Sequence, residues 1–232
     1  MRAVAFRIGS LVLYPQIVML PLGAAFFVVL AWKRLSAGPA RSRRESIAAL
    51  LSAVILAAAG SLVLSDHTDP HAIIGAQASF MAYWGALIGV SLWALIARKP
   101  ILAAANALAP AVMAGGSVAR LGCVFAGCCR GLPGLPLFHP WPLYDIAALF
   151  GAVMIGIHLE KRRAGGALLA FLIAYGLLRF FLEFARDVPA SALGLTAGQW
   201  FAAAQAAVGV ALVVAGRAKS PAIESTDLKG SQ

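Results

Sequence analysis

The stretch QASFMAYWGALIGVSLWALIA, residues 77–97, runs for 21 residues without a charged side chain and is followed at once by Arg98 and Lys99. A helix of that length spans about 30 Å, which matches the hydrocarbon core of a bilayer. The whole chain has the same character, because 61% of its 232 residues are hydrophobic and only 12% are charged. In soluble domains about a quarter of the residues are charged. The sequence therefore predicts an integral membrane protein.

Apolar blocks of roughly 18 to 25 residues, the length of a membrane-spanning helix, recur along the chain. They lack the alternation over about ten residues that marks a transmembrane β-strand, so the expected fold is an all-α bundle. The first block follows two arginines as a signal peptide would, but its apolar run is too long for one, so we treat it as a retained span. The seven predicted spans are 10–32, 46–65, 77–97, 101–124, 142–159, 165–185 and 197–216.

The basic residues predict the orientation, because cytoplasmic loops are enriched in lysine and arginine. With the N-terminus outside and the C-terminus in the cytoplasm, 13 of the 19 basic residues lie inside. The net charge of +10 then reflects attraction to anionic lipid headgroups rather than binding to nucleic acid. We expect one transmembrane domain, 1–217, and a disordered cytoplasmic tail, 218–232. The inner residues are Lys33, Arg34, Arg41, Arg43, Arg44, Arg98, Lys99, Lys161, Arg162, Arg163, Arg217, Lys219 and Lys229.

The polar features that this topology leaves unexplained all lie toward the outer side. Ionisable groups at membrane depth usually face the interior of a bundle or a water-filled cavity. Their clustering therefore predicts one outward-facing site. The segments concerned are 66–67, 69–71, 120–131, 138–145 and 175–187.

A polar stripe runs along the sixth span. Tyr175, Arg179 and Glu183 are spaced four residues apart and share one face of a helix, which Arg186 continues. One interpretation is an intrahelical salt bridge between Arg179 and Glu183 that holds the helix in register. The other, which we favour, is that Glu183 orients Arg179 so that the guanidinium binds a lipid phosphate through two hydrogen bonds.

Arg120 supplies a second cation at membrane depth, within the segment SVARLGCVFAGCCRGLP. Small residues before it allow neighbouring helices to approach closely. A helix that ended near Gly127 would release backbone groups beside Arg120 and Arg130, which would suit an anionic headgroup. Close packing explains the glycines equally well, but it does not explain Arg120.

Three cysteines in this segment leave several chemistries open. Cys123 could form a disulfide with Cys128 or Cys129, since a bridge between the adjacent pair would be strained. With His139 the three thiolates could bind zinc or soft copper, although the usual C-x₂-C spacing is missing. A low-pKa thiol beside the two arginines could act as a nucleophile. We favour small, partly buried thiols that shape a pocket.

The segment FHPWPLYD contains two prolines and is predicted to form an ordered loop that enters the fifth span. His139 could act as a general base or a ligand, and by default it is a hydrogen-bonding loop residue. Tyr144 and Asp145 lie where an aromatic belt and a helix start would also place such side chains. In the third span, Tyr83 and Trp84 are expected to anchor the helix at the membrane interface.

Several motifs resemble those of the prolipoprotein diacylglyceryl transferases. ARLGCVFAGCCRG, HPWPLYD, YGLLRFFLEFARD and GLTAGQW occur in the family's order and at similar spacing, and IGSLVLYPQIVMLPLG and WGALIGV add to the resemblance. The resemblance covers the chain from residue 8 to about 205. It implies a seven-helix enzyme of the bacterial inner membrane with a lipid-filled cavity that opens outward. Such enzymes transfer the diacylglyceryl group of phosphatidylglycerol to a lipobox cysteine thiol of an exported preprotein and release glycerol phosphate.

The resemblance also assigns roles to individual residues. Arg120 and Gly131 match the arginine and the final glycine of the family signature G-R-x-G-N-F-x-N-G-E-x-x-G. Tyr175, Arg179 and Glu183 match the tyrosine, arginine and glutamate of its later helix. These matches imply that the phosphate-binding half of the site is preserved.

Other positions depart from the signature. Cys123 and Ala126 replace its two asparagines, and Cys128 replaces its glutamate. In the third span, Trp84 takes the place of the histidine in the family's H-G-G motif. The groups usually credited with activating or positioning the acceptor thiol are therefore absent. The groups left to act as a general base are His139, Asp145, Glu183 and a cysteine thiolate.

We therefore expect a divergent transferase that moves a lipid-derived group from phosphatidylglycerol to an exported protein or a small acceptor, with no cofactor and no resident metal. The arginines would hold the phosphate and stabilise the leaving group. The alternatives are a cysteine-based redox or soft-metal membrane protein and a phospholipid-binding relative without catalysis. The expected catalytic residues are Arg120, Arg179, Glu183, Cys123, Cys128, Cys129 and His139. The expected substrate-binding residues are Arg120, Gly131, Tyr144, Tyr175, Arg179 and Trp84.

Overall fold

Seven helices and one short hairpin make up the part of the chain that the computed structural model describes, namely residues 6–8, 11–13, 15–63, 76–127, 131, 141–186 and 193–218. In the hairpin, β1 (Phe6–Ile8) pairs antiparallel with β2 (Leu11–Leu13). The predicted all-α bundle is confirmed, while the polar segment 66–71 and the tail from residue 219 lie outside the described residues. The helices are α1 (Pro15–Ser36), α2 (Arg43–Val63), α3 (Ala76–Ile96), α4 (Ile101–Ala126), α5 (Trp141–Glu160), α6 (Gly166–Glu183) and α7 (Ala197–Ala218).

Six of these described helices are long and apolar enough to cross a membrane. In α3 the qualifying apolar part is shorter, Phe80–Ile96. Many of their large apolar side chains are exposed, as expected of surfaces that face lipid rather than water. The chain is a multi-pass membrane protein.

The first helix begins later than the sequence predicts. Residues 11–13, placed in the span 10–32, instead form β2, whose backbone groups pair with β1. Pro15 then occupies the first position of α1, where a missing N–H and a fixed φ are tolerated. α1 also ends later than predicted, at Ser36.

Polar contacts fasten the end of the bundle that carries most of the basic residues. Arg34 at the end of α1 forms an ion pair with Glu160 at the end of α5, and its Nε donates to the Ala107 carbonyl at 3.0 Å. Asn106 donates to Glu160 and accepts from the backbone N–H of Leu168, both at 2.9 Å. These contacts join α1, α4, α5 and α6.

Small residues allow the closest helix contacts. At Gly85 and Gly89 on α3, an added Cβ would overlap backbone carbonyls of α2. At Gly115 on α4, a Cβ would lie 2.8 Å from the carbonyl oxygen of Gly23 on α1. Such close approach is typical of transmembrane helix pairs.

The middle of α6 is a π-helical turn, Ala170–Tyr175. Such a turn is wider than an α-helical one and frequently lies at a functional site. The buried Gln205 on α7 donates its Nε2–H to the Phe171 carbonyl within this turn, at 2.6 Å. The apolar half of α6 before the turn packs against α5, where Ala167 lies close to Gly156. The predicted polar stripe begins at Tyr175, the last residue of the turn, and continues along the half of α6 after it.

We predict that Gly85→Ala destabilises the bundle, because the new methyl group would meet the Leu56 carbonyl of α2. Overpacking of this kind costs about 1–3 kcal/mol, which thermal unfolding in detergent would detect as a lower melting temperature. Gly151→Ala in α5 is the matched control, since a Cβ there meets nothing within 4 Å. Equal melting temperatures for the two variants would contradict the proposed contact.

Candidate functional site

A cluster of buried charged side chains lies at the end of the bundle opposite the basic end. Arg120 comes from the last turns of α4, Asp145 from the start of α5, and Arg179 and Glu183 from the second half of α6. Each of the four side chains is at most 1% exposed. Charges so deeply buried are tolerated only when they are paired and hydrogen-bonded.

Asp145 is the centre of this cluster. Its Oδ2 lies 2.8 Å from the Nε of Arg120, and its Oδ1 lies 3.9 Å from the Nε of Arg179. The hydroxyl of Tyr175, which is fully buried, donates to Oδ1 at 3.0 Å. One carboxylate therefore joins α4, α5 and α6.

Glu183 extends the cluster along α6. It forms an ion pair with Arg179, four residues earlier, and its Oε1 lies 3.2 Å from an Nη1 of Arg186. Gly198 at the start of α7 makes room for it, since a Cβ there would lie 2.5 Å from the same carboxylate. The described charges thus alternate in the order Arg120, Asp145, Arg179, Glu183 and Arg186.

Among the described side chains, the cluster has one more positive charge than negative charges. Counting only the described side chains, three guanidinium groups face two carboxylates. Arg186 is 11% exposed, so the charge of the cluster is only partly shielded from water, and a bound anion would lower the cost of burying it. The arrangement is therefore suited to hold a singly charged anionic group.

Trp141, the first residue of α5, lies within the cluster and has no exposed surface. Its indole ring is close to Arg120, Arg179 and Arg186, and its Nε1–H donates to the Leu182 carbonyl at 2.9 Å. The ring therefore connects the start of α5 to the end of α6.

A cavity of about 430 Å³ reaches the cluster. Its walls come from α1, α2, α3 and α4 and consist mainly of alanine, glycine and larger apolar side chains. Arg120, Cys123 and Tyr83 line it as well. The cavity therefore offers hydrocarbon-like walls together with a cationic group, as a lipid with an anionic headgroup would require.

The structure brings together five of the predicted site residues, Arg120, Cys123, Tyr175, Arg179 and Glu183, in the cluster or at the cavity. Gly131 is close as well, because it forms an isolated antiparallel bridge with Arg186. Tyr144 is 37% exposed, although Asp145 beside it is buried. Trp84 is partly buried and packs against the hydrophobic core. Cys128, Cys129, Arg130 and His139 lie outside the described residues.

The intrahelical salt bridge considered for α6 is present, since Arg179 pairs with Glu183. It is only one part of the arrangement, because Arg179 also faces Asp145 of α5. The pair therefore belongs to a network that connects helices and does more than hold one helix in register.

The helix end near Gly127 is confirmed, but not its expected effect. α4 ends at Ala126, and Gly127 adopts a left-handed conformation (φ 59°) with its N–H bonded to the Val124 carbonyl. This is a C-terminal end, which presents carbonyl oxygens and the negative end of the helix dipole. Such an end attracts cations, so the guanidinium groups are what favours an anion here.

Two described residues have larger roles than the sequence indicated. The sequence suggests Asp145 as a possible general base or a helix-start residue. In the structure its carboxylate faces both Arg120 and Arg179. The sequence does contain a signal for this role. Asp145 lies at membrane depth with no lysine or arginine on its own helix, so its cationic partner must lie on another helix. Tyr83, expected as an interfacial anchor, is only 7% exposed and lies against Gly116, where a Cβ would come within 2.5 Å of the hydroxyl.

Comparison with known proteins places this arrangement in context. The family described as prolipoprotein diacylglyceryl transferase matches residues 3–215 of the chain. The phosphatidylglycerol--prolipoprotein diacylglyceryl transferase of Methylibium petroleiphilum is 36% identical over 164 residues, which cover 59% of this chain and 62% of the relative. The enzyme of the same name from Verminephrobacter eiseniae is 32% identical over 169 residues, 62% of this chain and 61% of the relative. The chain thus matches about three fifths of the length of these curated relatives. The similarities favour the transferase interpretation over a redox or metal protein.

We predict that Asp145→Asn strongly destabilises the fold, because it leaves two buried guanidinium groups without their shared counter-charge. Removing one partner of a buried ion pair costs about 3–5 kcal/mol, which a large fall in melting temperature would reveal. Glu45→Gln is the matched control, since Glu45 pairs with Lys99 on a partly exposed surface and should change stability little. A similar small effect of both substitutions would refute the central role of Asp145.

Proposed function

The chain belongs to the prolipoprotein diacylglyceryl transferase family, and from that premise we propose that it transfers the diacylglyceryl group of phosphatidylglycerol to an acceptor. The acceptor is an exported protein or a small molecule at the outer face of the bacterial inner membrane. The names of its relatives specify phosphatidylglycerol and a prolipoprotein for those proteins. The residues of this chain give reasons to propose phosphatidylglycerol as its donor as well.

The combination of a cationic cluster with an apolar cavity is the observation that carries this proposal. Phosphatidylglycerol combines a singly charged phosphodiester with two hydrocarbon chains. Among the described side chains the cluster has three guanidinium groups and two carboxylates, and the cavity supplies apolar walls that accommodate hydrocarbon. Because Arg120 belongs to both, the phosphate is expected to lie near Arg120 with lipid chain in the cavity.

The same charges explain how transfer would be accelerated. The acceptor sulfur or oxygen forms a bond to the carbon of the diacylglyceryl unit that is esterified to phosphate. The bond between that carbon and the phosphate oxygen breaks. The electron pair leaves with glycerol phosphate, so the phosphate gains negative charge as the bond breaks. Arg120 and Arg179 stabilise that charge, and Glu183 orients Arg179.

The acceptor must also lose a proton. Asp145 and Glu183 each contact two guanidinium groups, so accepting a proton would weaken two ion pairs. We therefore assign the base to the remaining candidates, His139 and the cysteines. Cys123 lines the cavity, and we propose that it shapes the acceptor side of the site.

The headgroup pocket is proposed to include Tyr175, Tyr144, Gly131 and Trp84. Tyr175 touches the cluster through Asp145, and Gly131 reaches it through Arg186. Within one transmembrane domain, residues 1–217, we place the cluster toward the periplasm, because the opposite end of the bundle carries most of the basic residues. The N-terminus is then outside and the C-terminus is cytoplasmic.

A phospholipid-binding protein without catalysis is the second candidate. The departures from the family signature at Cys123, Ala126, Cys128 and Trp84 favour it, because they fall on the groups that the resemblance associates with the acceptor. This candidate predicts phospholipid that co-purifies with the protein but no transferred product. Mass spectrometry of the bound lipid, together with a product assay, separates the two functions.

We predict that Arg120→Ala and Arg179→Ala each reduce transfer from labelled phosphatidylglycerol by about 100-fold or more, since each removes a group that stabilises the leaving phosphate. Arg34→Ala is the matched control, because Arg34 also pairs with a carboxylate but at the opposite end of the bundle. It should retain transfer activity even if its stability falls. Full activity in both cluster variants would disprove the proposed mechanism.

We also predict that Ala86→Leu lowers the amount of co-purified phosphatidylglycerol. Ala86 is 3% exposed and lines the cavity, so a larger apolar side chain would occupy space that lipid needs. Filling a cavity adds apolar contacts, and thermal stability should therefore be preserved. Ala147→Leu is the control, since Ala147 is exposed on the surface of α5. Unchanged lipid content in Ala86→Leu would argue against the cavity as the lipid site.

A further inference from the structure

Trp141 is the one described side chain that contacts all three arginines of the cluster. The Cζ atoms of Arg120, Arg179 and Arg186 lie 5.6, 4.4 and 5.0 Å from the centroid of its indole ring. A cation within about 6 Å of an indole face is attracted to the ring electrons, and the attraction is stronger away from water. Trp141 has no exposed surface.

An indole ring stabilises a guanidinium group differently from a carboxylate. A carboxylate accepts the N–H bonds of arginine and competes for them with any phosphate. A ring contact uses the face of the planar guanidinium and leaves its N–H bonds pointing outward in the plane. Trp141 can therefore lower the cost of burying three like charges without neutralising their attraction for an anion.

The position of the ring is fixed on both sides. Trp141 is the first residue of α5, four residues before Asp145, and its Nε1–H bonds to the Leu182 carbonyl near the end of α6. Arg120 comes from α4 and Arg179 from α6, while Arg186 follows the end of α6. The ring thus lies where three separate backbone segments meet.

We propose that Trp141 is a positioning residue that holds the three guanidinium groups as one anion-binding array and so sets the affinity of the site for the phosphate of phosphatidylglycerol. This inference rests on the proposed function. It assigns to Trp141 a part in donor recognition rather than in bond making or breaking.

The test compares Trp141→Phe and Trp141→Leu in the full-length protein. Phosphatidylglycerol and diacylglycerol, which has the same hydrocarbon chains but no phosphate, are each titrated into the purified protein in detergent and followed by native mass spectrometry. Trp141→Leu removes the ring and should weaken phosphatidylglycerol binding about tenfold, with little change for diacylglycerol. Trp141→Phe keeps a ring but loses the N–H donor, so a smaller loss of about threefold is expected.

Trp93→Leu is the matched control for loss of a large buried ring. Trp93 is 7% exposed and belongs to the hydrophobic core of α3, near the basic end. Thermal unfolding should show that both tryptophan-to-leucine variants lose stability. Only Trp141→Leu should lose the preference for phosphatidylglycerol, and in the transfer assay it should raise the KM for this donor while the KM for the acceptor stays unchanged.

If the wild-type protein prefers phosphatidylglycerol and both Trp141 variants keep that preference, the role of Trp141 is overturned and the proposed donor stands. If Trp141→Leu does not fold, Trp141→Phe decides the question by the same measurement. A wild-type protein with no preference for phosphatidylglycerol would overturn the proposed donor, and the role of Trp141 with it.

Discussion

The contact of Asp145 with Arg120 and Arg179 is the interaction on which the rest of the structure depends. A carboxylate with no exposed surface, in a bundle whose outside is hydrocarbon, is stable only with cations beside it. Because those cations belong to α4 and α6, the three helices must meet at one rotation and one depth. Close packing at small residues, such as Gly156 beside Ala167, makes that meeting possible. Packing and electrostatics therefore specify the same arrangement.

Hydropathy was sufficient to predict the helices, since seven long segments are predominantly apolar and contain few charged side chains. Spacing was sufficient to group Tyr175, Arg179 and Glu183, because all three follow one α-helical face from the end of the π turn. Sequence could not reveal that Asp145 joins Arg120 to this stripe, since the pairing depends on how α5 rotates against two other helices. Nor could it show that Tyr83 turns inward, because an aromatic residue near a helix end suits a lipid interface equally well. The late start of α1 was missed because Leu11–Leu13 are as apolar as a helix would be.

The positions that match the family signature and those that depart from it lie in different parts of the site. Arg120, Tyr175, Arg179 and Glu183 belong to one connected network, so replacing any of them would leave a buried partner unsatisfied. Cys123 lies at the cavity wall, where a different side chain changes local polarity without removing a counter-charge. The proposed donor side is thus restrained by the stability of the fold itself, whereas the proposed acceptor side can change with less cost to folding.

The π turn in α6 has a consequence for how this helix can be compared with others. The turn uses more residues than an α-helical one to cover the same rotation, and the Gln205 contact with Phe171 lies within it. Against a homologue whose helix is α-helical throughout, an ungapped alignment that matches Arg179 and Glu183 would pair the residues before Ala170 with the wrong faces. A gap of one position inside Ala170–Tyr175 restores the correspondence. Homologues are therefore expected to differ in the length of this segment as well as in residue identity.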